Sequence, residues 1–236
     1  MTTPTNPGHS TSQPKAAPVP MPLPDSLPTP PPAPEAGYTY LALGDSYTIG
    51  ESVSDKDRWS VQLADLLRME GLPVQPPDII ARTGWTTDEL AQAIRTSGNV
   101  RKYEMVSLLI GVNNQYRSQS KDKYRQELVD LLRTATDFAN GNARRVFVLS
   151  IPDWGVTPFV SDRDQQQIAV EIDAFNAIAK EECTRAGIEF IDITPLSRTA
   201  LNDTSLVAVD RLHFSGKMYR LWAEKALPTV LRLLRP

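Results

Sequence analysis

Tyr38-Thr-Tyr-Leu-Ala-Leu-Gly-Asp-Ser-Tyr47 is the stretch whose reading decides the fold. Its first six residues form an apolar run that predicts a buried strand. Gly44 ends the run and permits an abrupt backbone turn. Ser46 then stands just past the strand end, and Trp59 to Met69 predicts the helix that follows. In an open parallel sheet, ligands bind in the crevice beyond the carboxyl ends of the strands. A hydroxyl delivered there is a candidate nucleophile. The plainer reading is a Ser/Asp turn that merely leads into a helix.

From Tyr38 onward the pattern repeats. Asp78–Ala81, Met105–Ile110, Arg145–Ile151 and Ile188–Ile191 predict four more strands. Thr87 is the expected N-cap of a helix over Asp88 to Arg95, with acidic residues in its first turn. Lys121–Ala139, Asp164–Arg185 and Lys217–Leu234 carry apolar residues at helical spacing, the last kinked or interrupted at Pro228. Strand and helix alternating about five times predict an α/β fold, a parallel sheet with helices on both faces.

Composition narrows the function. The chain has 236 residues, a formal charge of -3 and one cysteine, Cys183, on an apolar helical stripe. No basic cluster with interleaved aromatics points to nucleic acid. No apolar run approaches the roughly 18 residues of a membrane span. A single cysteine excludes an internal disulfide. Zinc-ligand spacings, Gly-x-Gly-x-x-Gly and Gly-x-x-x-x-Gly-Lys are all absent, so neither a metal nor a cofactor is expected.

Residues 1–37 are a different kind of polymer, holding twelve of the twenty prolines. Too little apolar surface is present there to offset ordering entropy, so a disordered or polyproline II tail or linker is expected. The folded domain is then expected to span 38–236. Pro28 to Pro34 offers a docking segment to a partner, although a plain spacer fits the composition as well. The tail lacks the basic and apolar regions of a secretory signal, which predicts a cytoplasmic protein. A leader preceding the tail would make it secreted or periplasmic. His9 lies in this tail and is expected to be inert.

Polar residues follow each predicted strand: Ser46, Gly84, Asn113 with Asn114, Asp153 and Asp192. Asp210 and His213 come later. A doubly wound sheet gathers such ends along one rim. A serine hydroxyl needs a neighbouring base, and a base effective near neutrality is a histidine. His213 is the one histidine outside the tail. Asp210, three residues earlier, can turn back onto its ring and fix the tautomer. The backbone N–H of Ser46, the exposed backbone of Gly84 and the amide of Asn113 are candidate oxyanion donors. Each also has a plainer reading: His213 a packed surface residue, Asp210 a helix cap, Gly84 and Asn113 turn residues.

Gly44-Asp-Ser-Tyr47, Thr83-Gly-Trp85, Gly111-Val-Asn-Asn114 and Asp210-Arg-Leu-His213 resemble, in order, the four blocks of the SGNH, or GDSL, hydrolase family. The resemblance covers about Thr39 to Leu234. It implies a flavodoxin-like three-layer α/β/α sandwich with a central parallel sheet of about five strands. It implies Ser46 as nucleophile, His213 as base and Asp210 as its orienting acid, with Ser46, Gly84 and Asn113 forming the oxyanion hole. Tyr47 stands where Leu is commonest, Asn114 where Asp is usual, and Phe214 where Pro is frequent.

The expected activity is carboxylic ester hydrolysis through an acyl-enzyme. Tyr47, Trp85, Asn114, Tyr116, Trp154 and Phe159 are the candidate pocket residues, with the aromatic ones walling an acyl or aryl group. The polar segment Tyr116 to Lys123 is a candidate lip. No large insertion offers a lid, which favours short-chain or acetyl esters, small molecules in either case. A thioesterase or lysophospholipase of the same family and a non-catalytic glycan binder are the alternatives, and a scaffold role for the tail is a third.

Overall fold

Five short strands assemble into one sheet, the three central ones buried on both faces and the two edge strands partly exposed. The computed structural model describes residues 1–2, 37–160 and 163–235. Contacts divide the chain into Met1–Pro34 and Glu35–Pro236, and the fold below is that of the second unit. The expected tail, with His9 and Pro28 to Pro34, lies almost wholly outside the described residues.

The strands are β1 (Tyr40–Gly44), β2 (Asp78–Ala81), β3 (Met105–Leu109), β4 (Val146–Leu149) and β5 (Glu189–Ile191). They pair in the order β2-β1-β3-β4-β5, all parallel. The helices are α1 (Ser46–Ile49), α2 (Trp59–Met69), α3 (Thr87–Ser97), α4 (Val112–Tyr116), α5 (Lys121–Phe138), α6 (Gln165–Ala186), α7 (Thr194–Arg198) and α8 (Gly216–Leu234). One helical layer pairs α2 with α8, and α3, α5 and α6 pack in sequence as the other. The three-layer α/β/α sandwich is the architecture that the strand–helix alternation and the family resemblance both imply.

The strand order reverses at β1. From β1 the chain steps outward to β2, then crosses back to lay β3 on the other side of β1. Ligand crevices form at such a switch point, beyond the carboxyl ends of the two strands. Gly44 pairs with Leu109, so β1 and β3 end level and release Ser46 and Asn113 side by side. Glycine is required at this point: a Cβ on Gly44 would collide with Thr48 Oγ1 and the Leu109 carbonyl.

Several local expectations shift by a residue or more. The cap of α3 is Thr86, whose N–H donates to the Glu89 carboxylate at 2.9 Å, and Thr87 is the first helical residue. Tyr38 lies before β1 and makes an isolated bridge to Val74. The closing helix α8 continues through Pro228. That proline is exposed, while Trp222, Ala226 and Val230 anchor the helix to the core on both sides of it. Helices α1, α4 and α7 have four or five residues each, too few for periodicity to reveal. Cys183 is buried in the core, as its place on the apolar stripe predicts, and burial pushes its thiol up to about 12.

Candidate active site

Ser46 opens α1 immediately after the β1 turn and is almost entirely buried. Asp45 caps that helix, its Oδ1 accepting the Tyr47 N–H at 3.0 Å. The Asp45 carboxyl is fully buried and its Oδ2 has no hydrogen-bond partner among the described residues. Burial, only partly offset by the Tyr47 N–H, raises its pKa to about 7.

His213 comes from a loop fixed at both ends. Val207 bridges Phe214 in antiparallel fashion, and Ala208 N–H donates to the His213 carbonyl at 2.8 Å. Arg211 takes a positive φ of 68° to close the turn. Asp210 Oδ1 accepts the Leu212 and His213 N–H groups, both at 2.9 Å. Its Oδ2 lies 2.6 Å from His213 Nδ1 and accepts the Ser52 hydroxyl at 2.6 Å. Partial burial works against the charge of Asp210. The hydrogen bonds from Ser52, the His213 ring and the two N–H groups outweigh it and hold the carboxyl well below the usual carboxylate range. An ionised Asp210 only accepts, so His213 Nδ1 donates, leaving Nε2 of the neutral ring with its lone pair free to accept. Tyr47 packs edge-on against the imidazole, ring centroids 5.6 Å apart.

Ser46 and His213 line one cavity of about 190 Å³, together with Tyr47, Val112, Asn113, Tyr116, Trp154, Phe159 and Leu212. A larger hollow of about 410 Å³ lies between α5 and α6, but no Ser, Cys or His lines it. Asn113 is held by a hydrogen bond from its Nδ2 to the Trp85 carbonyl at 2.9 Å. That bond ties the third sequence block to the second. The adjoining Gly84 takes φ 87°, its carbonyl accepts from Arg117 Nη2 at 2.6 Å, and its N–H has no partner among the described residues.

Two of the candidate pocket residues lie elsewhere. Asn114 is fully buried away from the cavity. Its Oδ1 accepts the Thr87 N–H at 3.1 Å, and its Nδ2 donates to Thr87 Oγ1 at 2.6 Å and to Gln119 Oε1 at 3.0 Å. It fastens the start of α3 to α4. The Trp85 side chain packs against the hydrophobic core, and only its carbonyl serves the site. Asp153 and Asp192 likewise anchor loops: Asp153 pairs with Arg198 at 2.9 Å, and Asp192 accepts from Ser150 at 3.0 Å. Among the lip residues, Tyr116 packs edge-on against Trp154 at 5.3 Å. Ser52 and Leu212 were not legible as site residues. Leu212 is marked only by its place beside His213. Ser52 is marked by nothing local, since its partner is 158 positions away.

A five-stranded parallel sheet whose switch-point cavity is lined by a serine and a histidine places the chain among the α/β sandwich proteins. Residues 42–221 match the family model of the GDSL-like lipase/acylhydrolase family, and the chain belongs to that family. A comparison with curated proteins finds no match. Solved structures share the fold. The crystal structure of TesA is 17% identical with a TM-score of 0.66, over 83% of this chain and 99% of TesA. The psychrotrophic esterase EstA from Pseudoalteromonas sp., inhibited by monoethylphosphonate, is 14% identical with a TM-score of 0.65, over 84% of this chain and 98% of EstA. Axe2, an acetylxylan esterase from Geobacillus stearothermophilus, is 18% identical with a TM-score of 0.63, over 82% of this chain and 94% of Axe2. Among the described residues no helix is long and apolar enough to cross a membrane, and no group of His, Cys, Asp and Glu is arranged to hold a metal ion.

Proposed function

We propose that this chain hydrolyses short-chain or acetyl carboxylic esters through an acyl-enzyme on Ser46. The observation that carries the reading is the cavity shared by Ser46 and His213, with Asp210 2.6 Å behind the ring. His213 Nε2 takes the Ser46 proton as Oγ attacks the ester carbonyl carbon. The oxyanion is held by the Ser46 N–H, the Gly84 N–H and Asn113 Nδ2, donors set before charge develops. His213 then protonates the departing alcohol. A water molecule, deprotonated by the same nitrogen, attacks the acyl-enzyme and releases the carboxylic acid and free Ser46. Asp210 stays ionised throughout and stabilises the imidazolium.

The acyl preference follows from size. A space of about 190 Å³ is smaller than the roughly 300–1,000 Å³ typical of drug-sized sites. Tyr116, Trp154 and Phe159 wall it with rings, which suits an acyl group of a few carbons. The acetylxylan esterase and the phosphonate-inhibited esterase among the solved relatives are in keeping with this chemistry.

The test is labelling with a fluorophosphonate probe beside turnover of p-nitrophenyl esters of increasing chain length. Ser46→Ala is expected to abolish both labelling and turnover and to leave the melting temperature within a few degrees of the parent. A folded parent protein that takes no label and cleaves no ester in the series would refute the reading and favour a glycan binder.

A further inference from the structure

The reaction above makes no use of a guanidinium that lies against two rings of the cavity wall. Arg163 Cζ lies 4.5 Å from the ring centroid of Tyr116 and 5.3 Å from that of Trp154, two rings that line the cavity. Its Nη2 donates to the Tyr116 hydroxyl at 3.1 Å. Stacking on two rings and one hydrogen bond fix the position of an otherwise exposed, mobile side chain.

No carboxylate pairs with Arg163 among the described residues. Two described acids that follow it in the chain, Asp164 and Glu171, make other hydrogen bonds. Asp164 accepts the N–H groups of Gln166 and Gln167 at the start of α6. Glu171 accepts from the side chains of Gln115 and Gln167, both at 2.7 Å. A guanidinium offers five N–H donors, and Arg163 spends one on Tyr116. A second exposed arginine, Arg211, has no carboxylate partner among the described residues and is fastened to the same wall, its carbonyl accepting the Phe159 N–H at 3.0 Å. The group that best complements a fixed fork of free donors is a carboxylate, held by two parallel hydrogen bonds.

We propose that Arg163 selects esters whose acyl chain ends in a carboxylate, the half-esters of short dicarboxylic acids. The proposal rests on the esterase reading above and on the rings under Arg163 being its acyl wall. A short chain keeps the scissile carbonyl at Ser46 while its charged end leaves the small apolar space and meets the guanidinium at the margin. Arg163 is thus a specificity residue, with no part in bond making or breaking.

Monoethyl succinate and ethyl levulinate make the test, because they share one chain and differ by a carboxylate against a methyl ketone. Initial rates by pH-stat titration give kcat/KM for each. The parent protein is expected to prefer monoethyl succinate. Arg163→Gln is expected to lower that preference about tenfold or more, chiefly through KM, the size of one lost charged hydrogen bond. Arg163→Lys should recover part of it, and added salt should narrow it in the parent. A loss that falls equally on both esters would make Arg163 a latch for the ring wall and overturn the proposal. Calorimetric binding of the two esters to the Ser46→Ala variant repeats the comparison without turnover. Equal binding there would also overturn it, whereas tight binding of the half-ester without turnover by the parent would overturn the esterase reading instead.

Discussion

Asn113→Ala tests the proposed oxyanion hole at the residue where the geometry permits the sharpest arithmetic. The amide carries two N–H groups on Nδ2. One is spent on the Trp85 carbonyl at 2.9 Å, which leaves one for the oxyanion. The substitution therefore removes one of three donors while the Ser46 and Gly84 N–H groups remain. Losing a single oxyanion donor costs about 10²–10³ in kcat, or roughly 2.7–4 kcal/mol of transition-state stabilisation. The ground-state carbonyl carries little charge, so KM should change much less than kcat. A second, smaller effect is on stability. The half-buried Trp85 carbonyl loses its partner, worth about 1 kcal/mol, or roughly 2–4 °C in melting temperature for a domain of this size. The assay is p-nitrophenyl acetate hydrolysis across a substrate range, with a thermal melt of the same preparation. A kcat within about tenfold of the parent, in a protein whose melt moves only those few degrees, would refute the oxyanion assignment.

Asn114→Ala should do the reverse. It strips two buried hydrogen bonds and one part-buried one from the junction of α3 and α4, and Asn114 does not line the cavity. A loss of about 2–4 kcal/mol of stability is expected, read as a melting temperature lower by roughly 5–15 °C, with kcat at ambient temperature nearly intact; a large fall in kcat with an unchanged melt would contradict this role. Asp45→Asn tests the buried carboxyl next to Ser46. The folded protein holds that proton up to about pH 7, whereas the unfolded chain releases it near 3.8. Between those values the folded state binds more protons, so this group makes stability decline as pH rises. Asparagine keeps the helix-capping oxygen and cannot ionise. The variant's melting temperature should therefore gain on the parent's between about pH 4 and pH 8, and a gap that stays constant across that range would show that Asp45 does not titrate there.

Much of the fold is legible in the sequence. The bounds of α2 and β2 coincide with the apolar patterns that announced them, because period and burial are properties of a few adjacent residues. That Ser46 and His213 share a cavity, with Asp210 against the ring, was legible in outline for a related reason. Ser46 follows a strand, and Asp210 and His213 lie within one turn of chain, so their chemistry is local. The short helices α1 and α4, which carry Ser46 and Asn113, were not foreseen, since four or five residues hold no period.

The sequence by itself determined the strand and helix succession, the single histidine outside the tail and the four blocks of the family. Tertiary structure alone decided that β3 lies against β1, so that Ser46 and Asn113 emerge together. It alone brought Ser52 to Asp210 across 158 positions, drew Asn114 out of the pocket and into the α3 junction, and laid Arg163 over Tyr116 and Trp154. The physical reason is one of range. Propensity and periodicity act over a turn or two of chain, whereas a side chain's partner is set by which distant segments packing brings within about 3 Å of it.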